Sequence, residues 1–126
     1  HLRAEKVAKI PVPDVEVQGC ADDADLLIVG FGGTYGHLYS AMEEMKKAGK
    51  KVALAHFTYL NPLPKNTEAV LKKYKKVVVA EQNLGQFAGY LRMKIDNFTP
   101  YQFNEVKGQP FVVAELVAAF NKLIDN

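Results

Sequence analysis

Glycines placed between a buried strand and a helix can cradle an anion, and Gly32, Gly33, Thr34, Tyr35 and Gly36 follow directly on the aliphatic run Leu26-Leu27-Ile28-Val29. Glycine admits positive φ and close approach of a ligand or backbone. The N–H groups and positive dipole end of a helix starting near Thr34 would point into the same space. Glu81 closes another apolar run, Val77-Val78-Val79-Ala80. There it can serve as a general base, as a salt-bridge partner, or, the plainer reading, as an acceptor for neighbouring loop N–H groups. His37 and His56 are read as satisfied structural histidines, because no Ser or Cys stands in a nucleophile elbow and no second histidine or carboxylate has metal-ligand spacing. Tyr35 interrupts the pattern Gly30, Gly32, Gly36, so the G-x-G-x-x-G fingerprint fails, and no G-x-x-x-x-G-K-[ST] loop occurs. A dinucleotide or nucleoside triphosphate site is thereby disfavoured.

The elements that must position these groups alternate. Leu26–Val29 suits a strand buried on both faces. A one-sided helix follows with Leu38, Ala41, Met42, Met45 and Ala48 inward, Gly49 as its C′ residue and Glu43 with Lys47 as an i,i+4 pair. Lys51–Tyr59 is a second strand, left through the proline-punctuated Leu60-Asn61-Pro62-Leu63-Pro64. Asn66 or Thr67 is placed to cap the next helix, with Val70, Leu71 and Tyr74 inward. Lys76–Glu81 is a third strand. Leu84, Phe87, Ala88, Leu91 and Ile95 mark a helix interrupted by Gly89, whose missing side chain suits close packing. Pro100–Val106 fits a fourth core strand and Val113–Ile124 a final helix. Upstream, His1–Ile10 has helical alternation ended by Pro11 and Pro13, and Val12–Val17 alternates as an edge strand. Residues 1–24 are read as an N-terminal linker with that edge strand, and 25–126 as the domain.

Strict alternation with short connections predicts an open, mostly parallel, three-layer α/β/α sheet, whose ligands bind beyond the carboxyl ends of the strands. Polar and glycine residues gather at that edge: Gly32 to Gly36 after the first core strand, Tyr59 and Asn61 after the second, Glu81, Asn83, Gly85 and Gln86 after the third, Lys107 and Gln109 after the fourth.

A chain of 126 residues forms one domain, and a net charge of +2 is too small to point to nucleic acid or a membrane surface. Lysines at predicted helix ends, Lys46-Lys47 and Lys72-Lys73, oppose the dipole. The single cysteine, Cys20, allows neither an internal disulfide nor a four-ligand zinc or iron–sulfur site from this chain, which favours a cytoplasmic location. No apolar run approaches the roughly 20 residues of a membrane span. An opening at His1 suggests a piece of a longer protein.

Four motifs taken together carry a resemblance: Gly32-Gly33-Thr34-Tyr35-Gly36, Tyr59-Leu60-Asn61-Pro62-Leu63-Pro64, Glu81-Gln82-Asn83-Leu84-Gly85-Gln86 and Lys107-Gly108-Gln109-Pro110-Phe111. Over roughly residues 25–124 the chain resembles the C-terminal domain of the α subunit of 2-oxoacid:ferredoxin oxidoreductases of the 2-oxoglutarate or 2-ketoisovalerate type. The family usually has Ser at the place of Gly33 and often Trp at that of Phe31. The resemblance implies a transketolase C-terminal-like fold: a mixed five-stranded sheet whose edge strand near Val15 runs antiparallel to the rest. It implies a parent enzyme that converts a 2-oxoacid and coenzyme A to an acyl-coenzyme A and carbon dioxide, using thiamine diphosphate, magnesium and iron–sulfur clusters and passing electrons to ferredoxin. Its partners would be another domain of the same subunit and a β subunit, in an oligomer.

This domain itself carries no Gly-Asp-Gly metal–diphosphate motif and no cluster cysteines. Its expected role is that of a non-catalytic assembly domain, with the thirteen edge residues from Gly32 to Gln109 named above as its contact surface. The rival expectation is an anion site in which the Gly32–Gly36 turn binds a phosphate of coenzyme A. An independent flavodoxin-like carrier is a third reading, disfavoured by the missing Ser/Thr phosphate loop.

Overall fold

The computed structural model describes residues 13–58, 63–82, 86–104 and 111–125. Five strands, β1 (Val17–Gly19), β2 (Leu26–Phe31), β3 (Val52–Phe57), β4 (Val77–Glu81) and β5 (Tyr101–Asn104), form one sheet in the order β1-β3-β2-β4-β5. Only β1 is antiparallel to its neighbour; β3, β2, β4 and β5 run parallel. Four helices connect or follow them: α1 (Tyr35–Lys47), α2 (Thr67–Lys73), α3 (Gln86–Lys94) and α4 (Val113–Asp125).

The period-two pleat sorts the central strands into two cores. Odd-numbered Leu27, Val29, Ala53, Ala55, Phe57, Val77 and Val79 pack with α2 and α3 through Leu71, Phe87, Ala88 and Leu91. Even-numbered Leu26, Ile28, Val52, Leu54, Val78 and Ala80 pack with α1 and α4 through Leu38, Met42, Met45, Leu116 and Phe120. This is the expected three-layer α/β/α sandwich. The chain leaves β2 toward β3 through α1 on one face and reaches β4 and β5 through α2 and α3 on the other, so the strand order reverses between β2 and β4.

Several local expectations need correction. The edge strand lies at Val17–Gly19, later than the alternation of 12–17 suggests. The segment before it is held by a side chain in place of a strand: Asn66 Oδ1 accepts from Val15 N at 2.9 Å and Asn66 Nδ2 donates to Val15 O at 3.0 Å. That amide is therefore spent, and it does not cap α2. Thr67 does not cap it either, since its hydroxyl donates to Pro64 O at 2.5 Å. The fourth core strand is in fact an edge strand: β5 lies last in the order, and only Phe103 is drawn inward, against Phe111 and Phe120. Glu43 pairs with Lys46 at 3.5 Å, one residue short of the expected Lys47.

The α1 terminus matches its expected closure: Lys50 N donates to Met45 O and Gly49 N to Lys46 O, a Schellman pair around the Gly49 C′ position. The α4 terminus is closed from outside the helix, where Lys76 Nζ donates to Leu123 O at 2.7 Å and Ile124 O at 3.1 Å. The expected tail helix at 1–10 lies outside the described residues. No helix among the described residues is long and apolar enough to cross a membrane.

Candidate functional site at the carboxyl edge of the sheet

The reversal between β2 and β4 places the end of β2 beside the end of β4, where crevices form in sheets of this kind. After Phe31 the chain makes one 3-10 turn, Gly32–Thr34, and α1 begins at Tyr35 with Thr34 as its N-cap residue, as the spacing suggests. Gly32 takes φ +74°, as the glycine turn requires. Thr34 is buried and its hydroxyl donates to Phe31 O at 3.3 Å. No side chain caps α1, and its first turn holds no acidic residue. A Cβ at Gly33 or Gly36 would meet nothing within 4 Å, so neither glycine is required by contacts within the described chain. Gly30 is different: a Cβ there would fall 2.3 Å from Leu38 Cδ1, and the bare backbone lets α1 lie against β2.

Across the reversal, Glu81 is 4% exposed. Its Oε1 accepts from Phe87 N at 2.8 Å and its Oε2 from Ala88 N at 3.0 Å. Both carboxylate oxygens are thus engaged with the first turn of α3, where a negative charge also meets the positive dipole end. This is the plainer of the readings given for Glu81. Between the two strand ends the rings of Phe31 and Phe87 stand 5.4 Å apart, and Phe57 meets Phe87 at 5.7 Å. An aromatic contact therefore occupies the place where a ligand crevice is expected. Of the residues expected at this edge, Gly32, Gly33, Thr34, Tyr35 and Gly36 join Glu81 and Gln86 around the reversal. Tyr59, Asn61, Asn83, Gly85, Lys107 and Gln109 lie outside the described residues.

Tyr35 turns the other way, toward β1. Its hydroxyl donates to Gln18 Oε1 at 2.9 Å, its ring stacks on Tyr39 at 5.7 Å and meets His56 edge-on at 5.2 Å. His56 departs from expectation, because its Nε2 is buried with no hydrogen-bond partner. With Tyr35, Thr58, Asp14 and Glu16 it lines an open cleft of about 480 Å³ between β1 and the end of β3. The sequence signal for it was a lone polar residue at the end of an apolar strand, which reads equally as a core histidine. Burial pushes the imidazole below its ordinary value, and a hydrogen bond with the Gly32 backbone partly offsets this. A histidine whose folded value is depressed binds fewer protons folded than unfolded, so stability rises with pH. Folding stability should fall as pH drops below about 6.5, and a His56→Gln variant should lose that part of the slope. Urea midpoints for the two proteins at pH 7.5 and 5.5 check this; parallel shifts in both would show that His56 is not responsible.

Among the described residues, no three of His, Cys, Asp and Glu converge as metal ligands. With Glu81 facing two backbone N–H groups and no converging ligand set, the described residues do not fit a metal-bound diphosphate.

The topology and this edge define a transketolase-like α/β/α domain. A split-gene transketolase, solved as an inactive β4 tetramer, shares the fold with TM-score 0.64 over 93% of the chain and 44% of its own, at 15% identity. The chain belongs to the family of pyruvate:ferredoxin oxidoreductase core domain II, which it matches over residues 24–114. It is 44% identical over 118 residues, 92% of the chain, to 18% of the 2-oxoglutarate oxidoreductase subunit KorA of Mycobacterium tuberculosis. It is 28% identical, over 98% of the chain, to 20% of the α subunit of 2-oxoacid:ferredoxin oxidoreductase 2 of Aeropyrum pernix. The 2-oxoglutarate:ferredoxin oxidoreductase of Magnetococcus marinus, solved with 2-oxoglutarate, coenzyme A and succinyl-CoA bound, superposes with TM-score 0.82 and 29% identity. That likeness covers 90% of this chain and 20% of the other. The chain spans about a fifth of the length of these curated relatives.

Proposed function

We propose that this chain is an assembly domain of a thiamine-diphosphate-dependent 2-oxoacid:ferredoxin oxidoreductase, and that its carboxyl edge is a packing surface for other parts of that enzyme. The parent reaction would take a 2-oxoacid and coenzyme A to an acyl-coenzyme A and carbon dioxide, with electrons passing through iron–sulfur clusters to ferredoxin. Thiamine diphosphate and magnesium would sit outside this domain, on a neighbouring domain of the same subunit and on a β subunit. The observation that supports the reading is the engagement of Glu81: the buried carboxylate at the strand reversal accepts at each oxygen from the backbone, Phe87 N and Ala88 N. That arrangement gives the carboxylate a structural task, fixing the first turn of α3. The domain's contribution is to present a shaped, partly aromatic surface with Phe31 and Tyr35 exposed beside Gly33 and Gly36.

Gly36→Gln tests this without disturbing the fold, because the position is helical, faces open space and gains helix propensity. In the complete enzyme the variant should fold normally yet assemble at least tenfold more weakly, as read by sedimentation. Unchanged association and turnover would remove the carboxyl edge as an interface.

A second reading rests on the uncapped start of α1, whose N–H groups beside open Gly33 suit a phosphate of coenzyme A. Titration calorimetry of the complete enzyme and its Gly36→Gln variant with coenzyme A separates the two. Affinity lost in the variant with assembly intact favours the phosphate site.

A further inference from the structure

His56 occupies a place that suits its neutral form. It pairs across the ladder with Gly30, and the bare glycine seats the ring, since a Cβ there would lie 3.3 Å from His56 Cδ2. The imidazole also meets the Tyr35 ring edge-on at 5.2 Å, and its Nε2 is buried without a hydrogen-bond partner. A proton added to this ring places a charge where the packing holds nothing to answer it, which is costly. Around the ring, β2 and the glycine turn supply no ionisable side chain, and α1 supplies the Tyr35 phenol. The segment leading into β1 supplies Asp14 and Glu16, which line the same open cleft of about 480 Å³. Among the described residues no ion pair engages either carboxylate. Room and negative charge therefore lie together beside a ring whose seat accepts neither.

We propose that His56 is an acid-sensitive latch on the carboxyl edge: neutral, it packs against Gly30 and Tyr35 and holds α1 to β1, and protonated, it swings into the cleft toward Asp14 and Glu16. Tyr35 is what the latch holds. It is the first residue of α1, and its hydroxyl ties that helix to β1 by donating to Gln18 Oε1 at 2.9 Å. When the imidazolium leaves, Tyr35 loses the ring it rests on and the tie to Gln18 lets go. Burial holds the imidazole below its ordinary value in the packed position, and the swung position, wet and beside carboxylates, does not. Protons therefore favour the swung form, so the latch is shut at neutral pH and opens as pH falls below about 6.5. Any consequence for assembly rests on the packing role proposed above for this edge; the latch itself does not.

Hydrogen–deuterium exchange of the complete enzyme at pH 7.5 and 5.5, corrected for the intrinsic pH dependence of exchange, tests it. Protection over β1 and the first turn of α1 should fall about tenfold more than over β4, as a local opening requires. His56→Gln takes up no proton and should abolish that difference. Asp14→Asn with Glu16→Gln, at exposed positions, should leave the fold intact and shrink the fall, because the swung ring loses its partners; a histidine that merely fills space would not respond to them. Equal falls over β1 and β4, no fall at all, or a fall that survives His56→Gln would each overturn the latch. Sedimentation over the same pH range reads the second step: association should weaken at pH 5.5 in the native enzyme and not in His56→Gln. Association unchanged while β1 opens would leave the latch standing and remove the carboxyl edge as an interface.

Discussion

Glu81→Ala should lower the stability of the domain by about 3 kcal/mol, one of the two largest effects expected from a single substitution here. The carboxylate is buried, and its two oxygens hold Phe87 N and Ala88 N at 2.8 and 3.0 Å. Hydrogen bonds to a charged group are worth about 1.5–3 kcal/mol each, and a buried N–H left without a partner costs about 1–3 kcal/mol. Removing the carboxylate also removes the cost of burying its charge, so the sum is not realised in full. Glu81→Gln keeps one acceptor but turns an NH2 group toward the other N–H, and should lose about half as much. Denaturant unfolding with an unchanged slope would measure both. A loss below about 1 kcal/mol for alanine would mean that water replaces the carboxylate, and would remove the argument that Glu81 is there to hold the start of α3.

Gly19→Ala should cost a similar amount for an unrelated reason. Gly19 ends β1 at φ +88°, a conformation that costs an L side chain about 1–2 kcal/mol. A Cβ there would stand 2.7 Å from Val52 O and 2.8 Å from Met42 Sδ. The thioether can swing away, but Val52 O belongs to β3 and accepts from Cys20 N at 3.0 Å, so relief displaces the bond that closes the β1 ladder. Together the strain and the overpacking come to about 3 kcal/mol. Urea unfolding gives the total, and amide exchange at Gln18 and Gly19 shows whether β1 has peeled from β3. A loss under about 1 kcal/mol with β1 amides still protected would show that the backbone accommodates the methyl group.

The legible part of the fold was the part written in periodicity. Val77-Val78-Val79-Ala80 is apolar without a break because β4 is covered on both faces, and Leu38, Met42 and Met45 recur at helical spacing because α1 has one face to bury. Gly49 announced a helix end because the left-handed C′ position selects it. Asn66 was misread as a cap because its type predicts local hydrogen bonding, whereas its partner is Val15, fifty-one residues away. Pro100–Val106 was misread as core because alternation cannot tell a central strand from an edge strand with one inward residue, Phe103. His56 departs from its expectation because whether Nε2 finds a partner is not a property of residue type.

Sequence by itself determined the layer architecture, the family and the order of the strand-end motifs, because each follows from local periodicity or from short residue patterns. Tertiary structure decided what those motifs touch. It set Glu81 against α3, brought Phe31 against Phe87 at the strand reversal and turned Tyr35 toward Gln18. The Phe31–Phe87 and Tyr35–Gln18 contacts join residues distant in the chain, set only once five strands have taken their order, and even the short-range hold of Glu81 on α3 depends on where that helix is seated.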